Sequence, residues 1–122
     1  MSALTLSFEA PNPPLSINEA NRMKHWAQKA RRLKPWRECV TAAWEDSDKA
    51  IKGMPCTVQV ILPFRTNQRR DPHNYTGTVV KALVDALVRA GAWPDDTPEW
   101  VNVLDPLCEV GTTEVRIVLT ER

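Results

Sequence analysis

The chain has no paired cysteine motif, no long apolar run and almost no net charge, and each absence removes a class of protein. Its three cysteines, Cys39, Cys56 and Cys108, are widely spaced and odd in number. No C-x-x-C pair exists, so neither a zinc ribbon nor a disulfide framework is indicated, and reduced core thiols in a cytoplasmic protein are expected. No apolar stretch approaches membrane-spanning length. Residues 1–11 lack both a basic stretch and a long apolar stretch, so no secretory leader is expected. Internal repeats and low-complexity segments are also missing.

What remains is ordinary globular material. The chain has 122 residues, of which 43% are hydrophobic and 25% charged. That length suits one domain, expected to span 1–122, with a modest core that dimerisation would help to bury. The formal net charge is +1, but its distribution is uneven. From Arg22 to Arg37 seven Lys or Arg residues occur with no carboxylate, whereas acids outnumber bases after Lys81. A basic part and an acidic part suit a protein that gathers phosphates with one and cations with the other. Differently solvated helix faces would look the same.

Residues 3–9 (ALTLSFE) alternate apolar and polar and predict a strand. Pro11-Asn12-Pro13-Pro14 excludes regular structure. Residues 19–48 predict one long helix, or two broken near Pro35, because proline disfavours the helical conformation of Lys34. Trp26 and Trp36 are assigned to the core. Cys56–Phe64 is rich in β-branched residues and predicts a strand ending near Pro63. Tyr75–Ala90 has apolar residues at helical spacing and Gly91 as a stop. Trp100–Leu104 and Thr113–Thr120 predict two more strands with a turn near Gly111. The expected fold is therefore α/β (α+β): a single small domain with a mixed sheet in β-α-β-α-β-β order, flanked by helices.

Two acidic clusters bracket the predicted helix, Arg69-Arg70-Asp71-Pro72-His73-Asn74 before it and Pro94-Asp95-Asp96-Thr97 after it. Clustered carboxylates are relieved by protonation or by a bound cation. Magnesium needs only a few carboxylates and keeps several waters, and such an ion can promote phosphodiester hydrolysis. Taken singly, both clusters also fit ordinary turns and caps. A straight helix from Tyr75 would hold the clusters roughly 25 Å apart at 1.5 Å per residue. Either Asn74–Val79 folds back, which Gly77 permits, or a partner subunit supplies the second cluster.

Three blocks in order now carry a resemblance: Arg70-Asp71-Pro72-His73-Asn74, Lys81-Ala82-Leu83-Val84-Asp85-Ala86-Leu87 and Ala90-Gly91-Ala92-Trp93-Pro94-Asp95-Asp96. Together they resemble the signature of the RusA family of Holliday junction resolvases, approximately R-D-x-D-N, K-x-x-x-D-A-L and A-G-x-x-x-D-D. Pro13-Pro14 and Asn18 after the first strand are similar to the family's start. The resemblance implies a magnesium-dependent, homodimeric endodeoxyribonuclease, often of phage or prophage origin, that nicks four-way DNA junctions in pairs. It implies Asp71 and Asp96 as metal-binding catalytic acids and Lys81 as a catalytic lysine, with a lesser role for Asp85. Asp95 is a further candidate metal ligand, and no small-molecule cofactor is expected.

Two departures stand out. His73 replaces the second acid of the first block, and the spacing to Lys81 is longer by several residues. Neutral imidazole can ligate a divalent ion but suits manganese better than magnesium, so His73 is expected as ligand or base, with Mn2+ a possible substitute. The spacing suggests that Tyr75–Thr78 is a loop with Thr78 as helix N-cap. Arg22, Lys24, Lys29, Arg31, Arg32, Lys34 and Arg37, with Arg69 and Arg70, are expected to face DNA phosphates, which read shape rather than base sequence. The alternatives are a non-catalytic junction- or duplex-binding protein and a broader branched-DNA nuclease.

Overall fold

The computed structural model describes all residues from 1 to 122. In chain order the elements are β1 (Ala3–Glu9), α1 (Ile17–Arg22), α2 (Trp26–Asp46), β2 (Cys56–Phe64), a 3-10 turn (Pro72–Tyr75), a π-helical turn (Thr76–Val80), α3 (Lys81–Arg89), β3 (Val101–Val103), β4 (Leu107–Val110) and β5 (Glu114–Glu121). They form one mixed sheet, with β5 between β1 and β2 and antiparallel to both. β3 and β4 lie successively along the far side of β2, both parallel to it. A parallel neighbour requires a crossover, and α3 supplies it between β2 and β3. The α/β expectation for one small domain with a mixed sheet is met.

Burial explains the layering. Leu6 of β1, Val115, Ile117 and Leu119 of β5, and Cys56, Val58, Val60 and Leu62 of β2 are buried at alternate positions. Alternation places them on one sheet face. They share a single core with Leu33, Trp36, Val40 and Trp44 of α2 and Ala82, Leu83, Ala86 and Leu87 of α3. The opposite face carries Thr5, Ser7, Gln59 and Arg116, none of them buried. All three thiols are free: Cys56 is buried, while Cys39 and Cys108 are half-buried.

Several local expectations are corrected. Pro35 lies inside α2 rather than at a break; the interruption falls at Met23–His25 instead. Proline removes one helical hydrogen bond, but Leu33 and Trp36 on either side are buried and hold the helix through the defect. Trp36 is in the core as expected, whereas Trp26 is 83% exposed. β4 was not expected; its residues Leu107 and Val110 are exposed, so it has no simple buried alternation to reveal it. β2 is central in the sheet, and the apolar side of α3 is buried in the core.

The entry to α3 departs most from the expected regular helix. Thr78 is not an N-cap: it is buried within the π turn, and its hydroxyl donates to the Leu15 carbonyl. That bond draws the proline loop onto the helix entrance, where Leu15 is fully buried. The segment between Asp71 and Lys81 is thus wound into a 3-10 turn and a π turn. A π turn inside a helix is rare and is often found at functional sites.

Candidate functional site

The 3-10 turn begins with Asp71, whose carboxylate accepts the His73 backbone N–H at 3.0 Å while Pro72 occupies the first turn. This is an ordinary cap, and it leaves the second carboxylate oxygen free. His73 projects to the open edge of the sheet, where Nδ1 lies 3.4 Å from Asp105 Oδ1. Asp105 belongs to the short break between β3 and β4, and the Gln59 side chain fixes that break by donating to the Asp105 carbonyl at 2.8 Å. Side chains of His73 and Asp105 are 74% and 67% exposed, so the pair remains open to a ligand.

A second group forms on the outer side of α3. Lys81 Nζ sits 3.7 Å from Asp85 Oδ2 across one helical turn. Both line a hollow of ≈ 260 Å³ with Thr76, Gly77, Val80, Val84, Asp96 and Val103. The chain reaches this place by reversing after α3. Gly91 takes a positive φ of 98°, which favours glycine. Ala92 and Trp93 are then buried, and the Trp93 indole donates to the Met54 carbonyl at 2.8 Å. From there the loop returns Asp96 alongside Lys81 and Asp85.

The structure therefore has Asp96 line one hollow with Lys81 and Asp85 within one chain, and it brings His73, whose backbone N–H is capped by Asp71, beside Asp105. It does not gather Asp71, His73, Asp95 and Asp96 into one cluster. No three His, Cys, Asp or Glu side chains converge closely enough to enclose an ion. Asp95 turns back on itself, with Oδ1 accepting the Asp96 backbone N–H at 2.7 Å. The two groups are joined by the segment from His73 to Lys81, with Thr76 and Gly77 bordering the second. Asp105 escaped the sequence reading because Leu104-Asp105-Pro106 resembles any turn; only the parallel register of β3 and β4 with β2 places it opposite His73.

The expected cations divide into two sets. Arg70 stacks over the Phe64 ring at 4.0 Å and donates to the Thr66 carbonyl at 2.7 Å, so its position is fixed. Tyr75 packs edge-on against the same ring at 5.3 Å. Burial pushes the Tyr75 hydroxyl and the Cys108 thiol upward in pKa, and the nearby Arg70 guanidinium opposes both shifts. Arg32, expected to face phosphate, instead donates to Glu19 at 2.8 Å and to the Pro13 carbonyl at 2.6 Å. Arg22, Lys24, Arg31, Lys34 and Arg69 are exposed, and Lys29 is half-exposed. Arg65 and Arg70 also border a groove of ≈ 530 Å³ with the Pro11–Pro14 loop and Phe64.

No protein-family model matches the chain, and no curated protein matches it. No helix is long and apolar enough to cross a membrane.

Proposed function

We propose that the chain is a divalent-metal-dependent endodeoxyribonuclease that resolves four-way DNA junctions, similar to the RusA family. The observation that carries this reading is the return of the chain after α3, by which Asp96 lines one hollow with Lys81 and Asp85. The second and third sequence blocks thereby line one hollow, which Thr76 and Gly77, just after the turn that bears Asp71 and His73, also border.

The donor set fits magnesium in a particular way. Magnesium is usually held by one or two carboxylates together with waters and substrate phosphate oxygens, not by a closed protein cage. Asp96, with Asp95 behind it, and Asp71 with His73 are the residues that would hold such ions once a phosphate completes the shell. A bound divalent ion supplies charge neutralisation at the scissile phosphate and an acidified water. Lys81 is 62% exposed at its side chain and positions a phosphate oxygen by charge, while Asp85 holds the ammonium in place. His73, oriented by Asp105, is the group suited to accept a proton from water or to ligate Mn2+.

The partner state in this reading is a homodimer acting in the cytoplasm of a bacterial or phage-infected cell. Leu104, Leu107 and Val110 expose apolar surface along the free β3–β4 edge, the side of the sheet open to a second copy. A second reading, a DNA-binding protein without catalysis, is favoured by one observation, that no three metal-ligating side chains converge. The test is cleavage of a labelled mobile four-way junction, with linear duplex as control, in magnesium and then manganese. Asp96→Asn, which keeps shape but removes charge, should lower symmetric nicking by at least about a hundredfold. Tight binding of the junction without cleavage in either metal removes the enzyme and leaves the second reading. Equal cutting of flaps and junctions instead assigns a broader branched-DNA nuclease.

A further inference from the structure

We propose that Trp26 is a stacking platform for an unpaired nucleobase, with Arg22, Lys24, Lys29 and Arg31 holding the adjoining phosphates. The proposal rests on the reading of the chain as a DNA-acting protein and adds a contact outside the acidic surface. Tryptophan is rarely left in water, because its indole offers more apolar area than most side chains. Trp36, Trp44 and Trp93 are buried here, and Trp100 packs against the core. Trp26 alone is open, at 83% exposure, on the first turn of α2.

Its surroundings are cationic. Arg22 closes α1, Lys24 and His25 occupy the exposed break between the helices, and Lys29 lies one turn beyond Trp26 on the same side of α2. A shallow groove bordered by Arg22, Met23, Gln28 and Arg31 adjoins them. The one carboxylate in that groove, Glu19, is held by Arg32 at 2.8 Å, so the pair cancels. No acid lies between Glu19 and Glu38, and the positive charge of this stretch is otherwise uncompensated.

An anionic membrane would also answer that charge, but it needs an apolar helix face to enter. The other large apolar residues of α2, namely Leu33, Trp36, Val40 and Trp44, are all buried in the core. One flat aromatic ring among cations instead matches one nucleotide, with a base for the ring and a phosphate for the charges. Base–aromatic stacking tolerates any sequence, and it needs a base whose face is free, as in a single strand or at a disturbed branch point.

The test uses the full chain and two probes, a short oligothymidylate and a blunt duplex of equal length, read by tryptophan fluorescence and by anisotropy at low salt. The oligothymidylate should quench the wild type, and Trp26→Ala should abolish that quench and weaken single-strand binding about tenfold, more than duplex binding. Trp26→Phe should fall between the two. A melting temperature of Trp26→Ala close to that of the wild type is expected, since the residue is 83% exposed. Wild-type single-strand affinity retained in Trp26→Ala overturns the platform while leaving the DNA reading intact. Quenching by phosphatidylserine vesicles but not by oligothymidylate overturns it in favour of a membrane contact. Failure of the wild type to bind any DNA overturns both readings together.

Discussion

The two cationic regions of this chain hold their charges in opposite ways. Along α1 and α2 most of the cations are loose, and one of them, Arg32, has become structural. It donates to Glu19 and Pro13, while Asn12 donates to the Arg32 carbonyl at 3.0 Å and accepts the Trp36 indole N–H at 2.8 Å. In the block before α3, Arg70, the chain neighbour of Asp71, is clamped over Phe64, and Arg69 before it is exposed. A run of basic residues is therefore not yet a phosphate surface. The internal contacts must first be subtracted, and what remains differs in kind: a diffuse patch around Trp26, and a fixed guanidinium beside Asp71.

The largest effect that would sharpen this contrast belongs to Arg32. Arg32→Ala removes a partly buried ion pair and the fastening of the proline loop, which carries Leu15 into the core. A loss of about 2 kcal/mol is expected, from the charge-assisted bonds to Glu19 and to the Pro13 carbonyl left unmade. Arg31→Ala, one residue away but exposed, should leave stability within about 0.5 kcal/mol. If that arginine meets phosphate, the same change should instead lower the slope of log affinity against log salt by about 1. Denaturant melts of both variants, with salt titrations of junction binding, decide the matter. Similar destabilisation by the two would erase the proposed division of labour.

A smaller effect tests the fixed half. Asp105→Asn keeps the shape of the β3–β4 break but removes the charge facing His73 Nδ1. If the carboxylate orients the imidazole, affinity for Mn2+ should fall about tenfold, as is usual when an outer partner of a ligating histidine is lost. Calorimetric titration of the metal reads this without relying on cleavage. Unchanged affinity would mean that the 3.4 Å contact does not organise the site.

These contrasts also mark where the sequence was legible. Strands β1, β2 and β5 follow from alternation, and the apolar period of α3 from its buried face, because each pattern has one side in the core. Residue type and periodicity both point Trp26 inward, since it is in phase with Leu33, Val40 and Trp44; it is exposed because it opens α2, seven residues before the first buried position of that helix. Pro35 misled because a local preference of a few kcal/mol was set against burial on both sides of it. The return of Asp96 to Lys81 could not be read at all. It depends on Gly91, on the Trp93 indole reaching Met54, and on the parallel pairing of β3 with β2, all of them long-range.

The smallest expected effect concerns pH, and it also separates the clamped arginine from the loose ones. Burial raises the Cys56 thiol above its ordinary 9.0 and the Tyr75 hydroxyl above 10.0. In the unfolded chain both groups release their protons near the ordinary values, while the folded chain retains them. Above about pH 9 the folded state therefore binds more protons than the unfolded state, and stability must fall as pH rises. Below that pH the contribution is fully present. Melting temperatures should accordingly be flat from pH 7 to 8.5 and decline beyond it, with a shallower decline in Cys56→Ala. Arg70 works against the upward shift of Tyr75, so Arg70→Ala should steepen the decline, whereas Arg31→Ala should not alter it. Identical alkaline slopes in the two arginine variants would show that Arg70 is as loosely held as Arg31, and the contrast between the two regions would be lost.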